Sequence, residues 1–170
     1  MTQQTDINGK DLYLDDLQVG QRFATGSHVV SESEIKVFAA QFDPQSFHLD
    51  DVAARPSIFG GLAASGWHTA AITMRLVVEG GPRVAGGIIG THGHITWLKP
   101  TRPGDVLSVE SEVLEVTPSL VKPDRGHVTV RSNTRNQRGE IVQVISFQLL
   151  AKRRYAPGIQ DDSKAICGVV

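Results

Sequence analysis

The sequence is poor in cysteine and has no long apolar run. Its single cysteine, Cys167, excludes an internal disulfide and suits a reducing cytoplasm. The most apolar stretch, residues 57–74, is interrupted by Gly, Ser, Thr and His, so we predict no membrane span. Residues 1–10 lack the basic start and the apolar centre of a secretory signal. Together these absences predict a cytoplasmic protein.

The chain also lacks an excess of charge of either sign. Its 17 Lys and Arg residues nearly balance its 18 Asp and Glu residues, and the formal net charge is −1. Such a balance gives no general attraction to nucleic acid or to an anionic membrane. An anionic ligand would need a local cluster of Lys and Arg. Because 40% of the 170 residues are hydrophobic, the composition predicts one domain with a full core.

Two long helices are predicted in the first half of the chain, with a short helical segment and a loop within residues 49–59 between them. Ser31 and Glu34 form a capping-box signature, and apolar residues then recur at helical spacing until Pro44 ends the helix. The second helix lies within residues 60–80 and is apolar or small on every side. A helix of that kind is expected to be buried on every side, so other elements must wrap around it.

Strands are predicted near the start of the chain and throughout its second half. A first strand follows a turn at Val19-Gly20, with Phe23 and Val29 expected on one face. Four more segments are rich in Val, Ile, Thr and Ser, namely residues 86–98, 105–117, 126–136 and 140–152. The sequence therefore predicts an α+β domain over residues 11–153, in which about five antiparallel strands curve around the long helix. Residues 1–10 are predicted to be disordered, and residues 154–170 to form a tail.

Residues 42–51 place an acid and a base on a stiff turn. Asp43 and His48 lie five residues apart, and Pro44 prevents the preceding helix from continuing between them. Such a turn can aim both side chains at one water or one substrate proton, as proton transfer requires. The pair alone leaves open the alternative of an ordinary turn with a packing or surface histidine.

Three segments resemble the MaoC-like hydratase/dehydratase family, which includes the R-specific enoyl-CoA hydratases. They are residues 43–50, residues 64–68 at the start of the central helix, and residues 97–105. The resemblance extends over residues 17–152. It implies the hot-dog fold, in which a curved antiparallel sheet wraps around a long central helix.

The resemblance also implies roles for single residues. Asp43 and His48 match the family's catalytic pair, and Gly66 matches the glycine whose backbone N–H binds the substrate carbonyl. Ser65 and Gln45 stand next to these positions and are expected to take part in oxyanion or substrate binding. The implied site contains no metal, and the implied reaction needs no cofactor.

The chain departs from the family pattern at several site positions. Gln45 replaces the usual Asn, Ser46 replaces the usual Pro, and Ser65 stands where many members have His. Met74 occupies a position where some hydratases have serine, beside Thr73, which can supply a hydroxyl instead. These departures bear on the substrate range more than on the reaction type.

The activity implied by the resemblance is that of a hydro-lyase. It would hydrate 2-enoyl-CoA to 3-hydroxyacyl-CoA, or catalyse the reverse dehydration, with the acyl group carried by coenzyme A or acyl carrier protein. A homodimer or higher homo-oligomer is expected, since pairing with a second copy covers the edge strand of a hot-dog sheet.

Other interpretations of the sequence stay open. An acyl-CoA thioesterase on the same fold needs a carboxylate by the central helix, where residues 60–80 offer only Glu79 at the far end. A non-catalytic acyl-thioester-binding domain is a further alternative. His92 and His94 alternate as a metal pair would, but no third ligand has diagnostic spacing, so structural histidines are favoured.

Overall fold

The computed structural model describes residues 11–155. The predicted disordered segment 1–10, and Cys167 with the rest of the tail beyond residue 155, lie outside the described residues. Among the described residues a 3-10 turn, Leu14–Asp16, precedes the first helix and strand. The helices are α1 (Glu32–Phe42), α2 (Ser46–Leu49), α3 (Asp51–Ala54) and α4 (Gly66–Gly80). The strands are β1 (Arg22–Val29), β2 (Ile89–Trp97), β3 (Val106–Pro118), β4 (Arg125–Arg135) and β5 (Ile141–Lys152).

The five strands form one antiparallel sheet in the order β1-β3-β4-β5-β2. This arrangement confirms the predicted α+β class and the four strands expected in the second half of the chain. Strands β1 and β2 lie at the two edges of the sheet. Among residues 11–155, no helix has the length and apolar character needed to cross a membrane.

Helix α4 packs one face onto the sheet. Its buried residues Ile72 and Leu76 join a core cluster with residues of β3 and β5, among them Leu107, Val109 and Val142. Because apolar side chains from both layers leave water here, this contact holds the helix and the sheet together.

The expectation that α4 is buried on every side is wrong for the single chain. Trp67 and Val78 on the opposite face are 58% and 61% exposed. The sheet covers only one side of the helix, because all five strands lie in one layer. The low charge of the outer face therefore does not come from burial within one chain.

Strand β1 departs from the predicted alternation. Phe23 is buried, as expected, whereas Val29 is exposed and Val30 is buried instead. The pairing of β1 with β3 shifts register between Ala24 and Ser27, where a bulge adds a residue. A bulge moves later side chains to the opposite face, so the simple period of two fails beyond it.

Helix α1 confirms the capping-box prediction and delivers Asp43 to the site. Ser31 Oγ accepts from the Glu34 N–H at 3.2 Å, and the Glu34 carboxylate accepts from the Ser31 N–H at 2.9 Å. The helix ends at Phe42, and the N–H of Asp43 donates to Ala39 O at 2.9 Å. Asp43 is thus the residue that caps the C-terminus of α1.

Candidate active site

A tight turn connects Asp43 to the short helix that carries His48. The N–H of Gln45 donates to the Asp43 carbonyl at 2.7 Å, and α2 begins at Ser46 without the usual proline. Pro44 keeps the chain from extending α1, so Asp43 and His48 approach each other across this turn. Asp43 Oδ2 lies 3.4 Å from His48 Nε2.

His48 is held rigidly from its other ring nitrogen. Only 4% of the residue is exposed, and Nδ1 donates to the carbonyl of Ala63 at 2.7 Å. A carbonyl can only accept, so the proton of the neutral imidazole resides on Nδ1 and leaves Nε2 as an acceptor. The Ala63 N–H in turn donates to Phe47 O at 3.3 Å, which ties the segment before α4 to α2. The ring nitrogen that is free to accept, Nε2, therefore faces Asp43.

Two side chains anchor the Asp43 carboxylate. Ser65 Oγ donates to Oδ2 at 2.6 Å, and Gln45 Nε2 donates to Oδ1 at 2.7 Å. These hydrogen bonds stabilise the charged form, and the bond from Ser65 is the largest of the causes that hold the pKa of Asp43 below its usual value. Gln45 and the nearby His48 lower the pKa further, whereas partial burial opposes the shift. Asp43 is accordingly ionised at neutral pH.

Gly66 begins helix α4, directly after its N-cap, Ser65. The N–H of Gly66 has no acceptor among residues 11–155. The indole of Trp97 packs onto Gly66, and Trp97 Nε1 donates to the Gly66 carbonyl at 2.9 Å. A Cβ at position 66 would lie 2.6 Å from the Trp97 ring, so only glycine fits beneath this indole.

All five predicted site residues line one cavity of about 970 Å³, its open mouth included. They are Asp43, Gln45, His48, Ser65 and Gly66. The cavity wall also contains residues to which the sequence assigned no role, notably Phe47, Phe59, Trp97 and Thr101. Trp97 and Thr101 lie in segment 97–105, whose resemblance to the family was the sequence signal from which they could have been found. Phe47 had no signal beyond its place beside His48, and Phe59 had none.

The remaining candidates lie elsewhere. His92 and His94 are exposed on edge strand β2, and no group of three or more potential metal ligands occurs within the described part of the chain. His68 is buried and stacks on Phe38 with ring centroids 4.7 Å apart, and burial lowers the pKa of its imidazole. Met74 does not reach the cavity; it lines a separate apolar crevice near the other end of α4.

The fold and the site together define a class of protein. An antiparallel sheet packs on a long helix, and a carboxylate and an imidazole meet beside that helix's N-terminus. The chain matches the MaoC like domain over residues 16–136, and it therefore belongs to that family.

Similar proteins agree with this assignment. The chain is 38% identical to the uncharacterised protein YdeM of Bacillus subtilis over 141 residues, 82% of this chain and 99% of that one. A MaoC-like dehydratase from Rhodospirillum rubrum shares 57% identity with a TM-score of 0.83, covering 85% and 99% of the two chains. An R-hydratase from Pseudomonas aeruginosa shares 27% identity with a TM-score of 0.66, covering 88% and 96%.

These matches confirm the resemblance and the hot-dog fold predicted from the sequence. A MaoC-like dehydratase and an R-hydratase among the similar structures support hydratase or dehydratase chemistry in general. The family also includes an uncharacterised relative, so membership alone does not define a substrate.

Proposed function

We propose that the protein is a hydro-lyase that adds water to a 2-enoyl-CoA to form a 3-hydroxyacyl-CoA, or catalyses the reverse dehydration. The observation that carries this proposal is the approach of Asp43 Oδ2 to His48 Nε2 at 3.4 Å. The pair lines the same cavity as Gly66, whose N–H is available to a ligand. Acid–base groups and a hydrogen-bond donor are the parts that this reaction needs.

The states of the two side chains suit them to activate water. Asp43 is ionised, and His48 presents an unprotonated Nε2 when its imidazole is neutral. A water molecule can donate one hydrogen to each of these two acceptors. The pair then takes one proton as the hydroxyl adds to the β-carbon, and returns one proton to the α-carbon. Protons balance over the cycle, and no cofactor is consumed.

The N-terminus of α4 can stabilise the charge that the addition creates. Negative charge develops on the thioester oxygen as the hydroxyl attacks. Gly66 is the first residue of a helix of 15 residues. A hydrogen bond from its N–H and the positive end of the helix dipole can therefore act on the same thioester oxygen. In this proposal Gly66 is the carbonyl-binding residue, and Asp43 and His48 are the catalytic pair.

An assay on a panel of 2-enoyl-CoA thioesters tests the proposal, since hydration removes the ultraviolet absorbance of the conjugated double bond. Asp43→Asn and His48→Ala should each lower kcat/KM by about 100-fold or more, because each removes one acid–base group. Asp124→Asn and His127→Ala are matched controls, since both residues lie outside the cavity and away from strand β2. Both controls should retain full activity.

Other results would contradict the proposal in distinguishable ways. Full activity in both site variants would show that the chemistry occurs elsewhere. Release of free thiol from saturated acyl-CoA, with no hydration, would indicate a thioesterase. That outcome is disfavoured because Glu79, the only carboxylate on α4, pairs with Arg75 at 2.9 Å at the far end. Tight acyl-CoA binding without turnover would indicate a binding domain.

We further propose that the working form is a homodimer. The outer face of α4 exposes the apolar side chains of Trp67, Met74 and Val78, and strand β2 is an edge with backbone groups free to pair. A second copy can cover both features at once. Light scattering should give twice the chain mass, and Val78→Lys should shift the population towards monomer. A monomeric mass for the unaltered protein at micromolar concentration would refute this proposal.

A further inference from the structure

Ser65 connects the Asp43 carboxylate to the helix that carries Gly66. Its hydroxyl donates to Asp43 Oδ2 at 2.6 Å and accepts from the N–H of Trp67 at 3.2 Å, which makes it the N-cap of α4. Both bonds use the same oxygen, once as donor and once as acceptor. The only hydrogen of the hydroxyl is therefore committed within the protein.

The burial of Ser65 separates it from any ligand. The residue is 0% exposed, although it belongs to the wall of the cavity. A substrate atom that cannot reach the hydroxyl cannot be bound by it. Its contribution to the site has to pass through the groups that it contacts.

The two anchors of the Asp43 carboxylate come from different parts of the fold. Gln45 is two residues away on the same exposed turn, so it moves with Asp43. Ser65 is 22 residues away and belongs to α4, so its bond fixes the carboxylate relative to the helix. Oδ2, the oxygen held by Ser65, is also the oxygen that lies 3.4 Å from His48 Nε2.

We propose that Ser65 is a positioning residue, which holds Asp43 Oδ2 in register with His48 and with the N-terminus of α4, and does not bind substrate directly. This inference rests on the proposed hydratase function for its kinetic consequences. It replaces the substrate-binding role expected for Ser65 from the sequence with a role that acts through Asp43.

A donor on Oδ2 has a defined chemical consequence. It stabilises the carboxylate over the carboxylic acid, so its removal should raise the pKa of Asp43. The acid limb of the kcat/KM profile reports the essential bases of the free enzyme, and Asp43 is one of the two acceptors that the proposed mechanism requires. Loss of the Ser65 hydroxyl should move that limb to higher pH.

Ser65→Gly is the main test variant. Glycine is tolerated at an N-cap with little loss of helix stability, so the variant should fold while lacking the donor. We expect the acid limb to move up by about one pH unit, since a hydrogen bond to a charged group is worth about that much. We also expect kcat at neutral pH to fall about 10-fold through misplacement of the base, with KM nearly unchanged.

Ser65→Thr is the conservative control, because it keeps a hydroxyl at the same position. It should restore the acid limb to lower pH and recover most of kcat. A raised KM with unchanged kcat in Ser65→Gly would overturn the inference, since that pattern belongs to a substrate-binding group. An unchanged profile in Ser65→Gly would overturn it as well.

A titration that needs no turnover separates this inference from the proposed function. The Asp43 carboxyl can be followed by NMR in protein labelled with carbon-13 at aspartate, with Asp43→Asn to assign its signal. The pKa of Asp43 should be higher in Ser65→Gly than in the unaltered protein or in Ser65→Thr. Equal values in all three would refute the positioning role, whereas an inert unaltered protein with the expected shift would refute only the hydratase function.

Discussion

The two ends of helix α4 differ sharply in their surroundings. At the N-terminal end, polar groups converge: Asp43 and His48 meet beside Ser65 and the N–H of Gly66. Towards the C-terminal end, an apolar crevice of about 690 Å³, its open mouth included, lies between the helix and the sheet. Its walls are almost wholly apolar side chains, such as Val77 on α4.

A buried polar cluster lies between these two regions. Thr73 Oγ1 shares a hydrogen bond of 2.7 Å with Thr134 Oγ1 and accepts from Gln143 Nε2 at 2.9 Å. The site cavity and the crevice have no lining residue in common. One helix therefore organises two separate regions of opposite character.

On the proposed function, this difference separates a part of the sequence that serves chemistry from a part that serves the fold. On that function the polar end positions the reactive groups, Asp43 and His48. The apolar end takes side chains out of water and contributes to stability through that burial. We therefore expect substitutions at the N-terminal end to alter activity at nearly constant stability. Substitutions by the crevice should alter stability at nearly constant activity.

Gly66→Ala should have the larger effect, and it acts on activity. Alanine in the first turn of a helix is not destabilising by propensity, but its Cβ would lie 2.6 Å from the Trp97 ring. The indole has to move off the cavity wall, and the carbonyl-binding N–H becomes partly covered. We expect kcat/KM on enoyl-CoA to fall about 100-fold, as for other small misplacements in active sites.

Gly26→Ala is the matched control for this variant. Gly26 lies on β1, far from the cavity, and a Cβ there would meet nothing within 4 Å. It should keep full activity, whereas Gly66→Ala should also shift the tryptophan emission because Trp97 moves. Equal activity in the two variants would contradict the expectation that substitutions at the N-terminal end of α4 alter activity.

The acid–base turn was predictable because its determinants are local. The Ser31–Glu34 capping box fixes where α1 starts, and Pro44 fixes where it must stop, which leaves Asp43 at its end. The strands of the second half were likewise readable from alternation and composition. Short-range sequence patterns therefore predicted the two long helices, the strands and the placement of Asp43, but not the short helix α2.

The supports of the site were not predictable, because they join distant parts of the chain. The bond from Ser65 to Asp43 spans 22 residues, and the bond from Trp97 to Gly66 spans 31. The Ala63 carbonyl that orients His48 has no side-chain signature at all. The exposure of one α4 face also escaped prediction, because a low-charge helix surface has the same composition whether its own chain or a partner covers it.

Val128→Ala tests the apolar end and should have the smaller effect, acting on stability. Val128 on β4 is 1% exposed and lines the crevice, so truncation removes buried methyl groups and enlarges a gap. We expect the free energy of unfolding to fall by about 2 kcal/mol, by comparison with other truncations of buried aliphatic side chains. Urea denaturation followed by circular dichroism measures it.

Activity on a short enoyl-CoA should be unchanged in Val128→Ala, because Val128 does not line the site cavity. Val37→Ala, which removes the same atoms from a residue 59% exposed on α1, should leave both quantities nearly unaltered. A large loss of activity in Val128→Ala at unchanged stability would show that the crevice belongs to the substrate site. The buried Thr73 cluster would then be part of a continuous path along α4, and the separation of its two ends would fail.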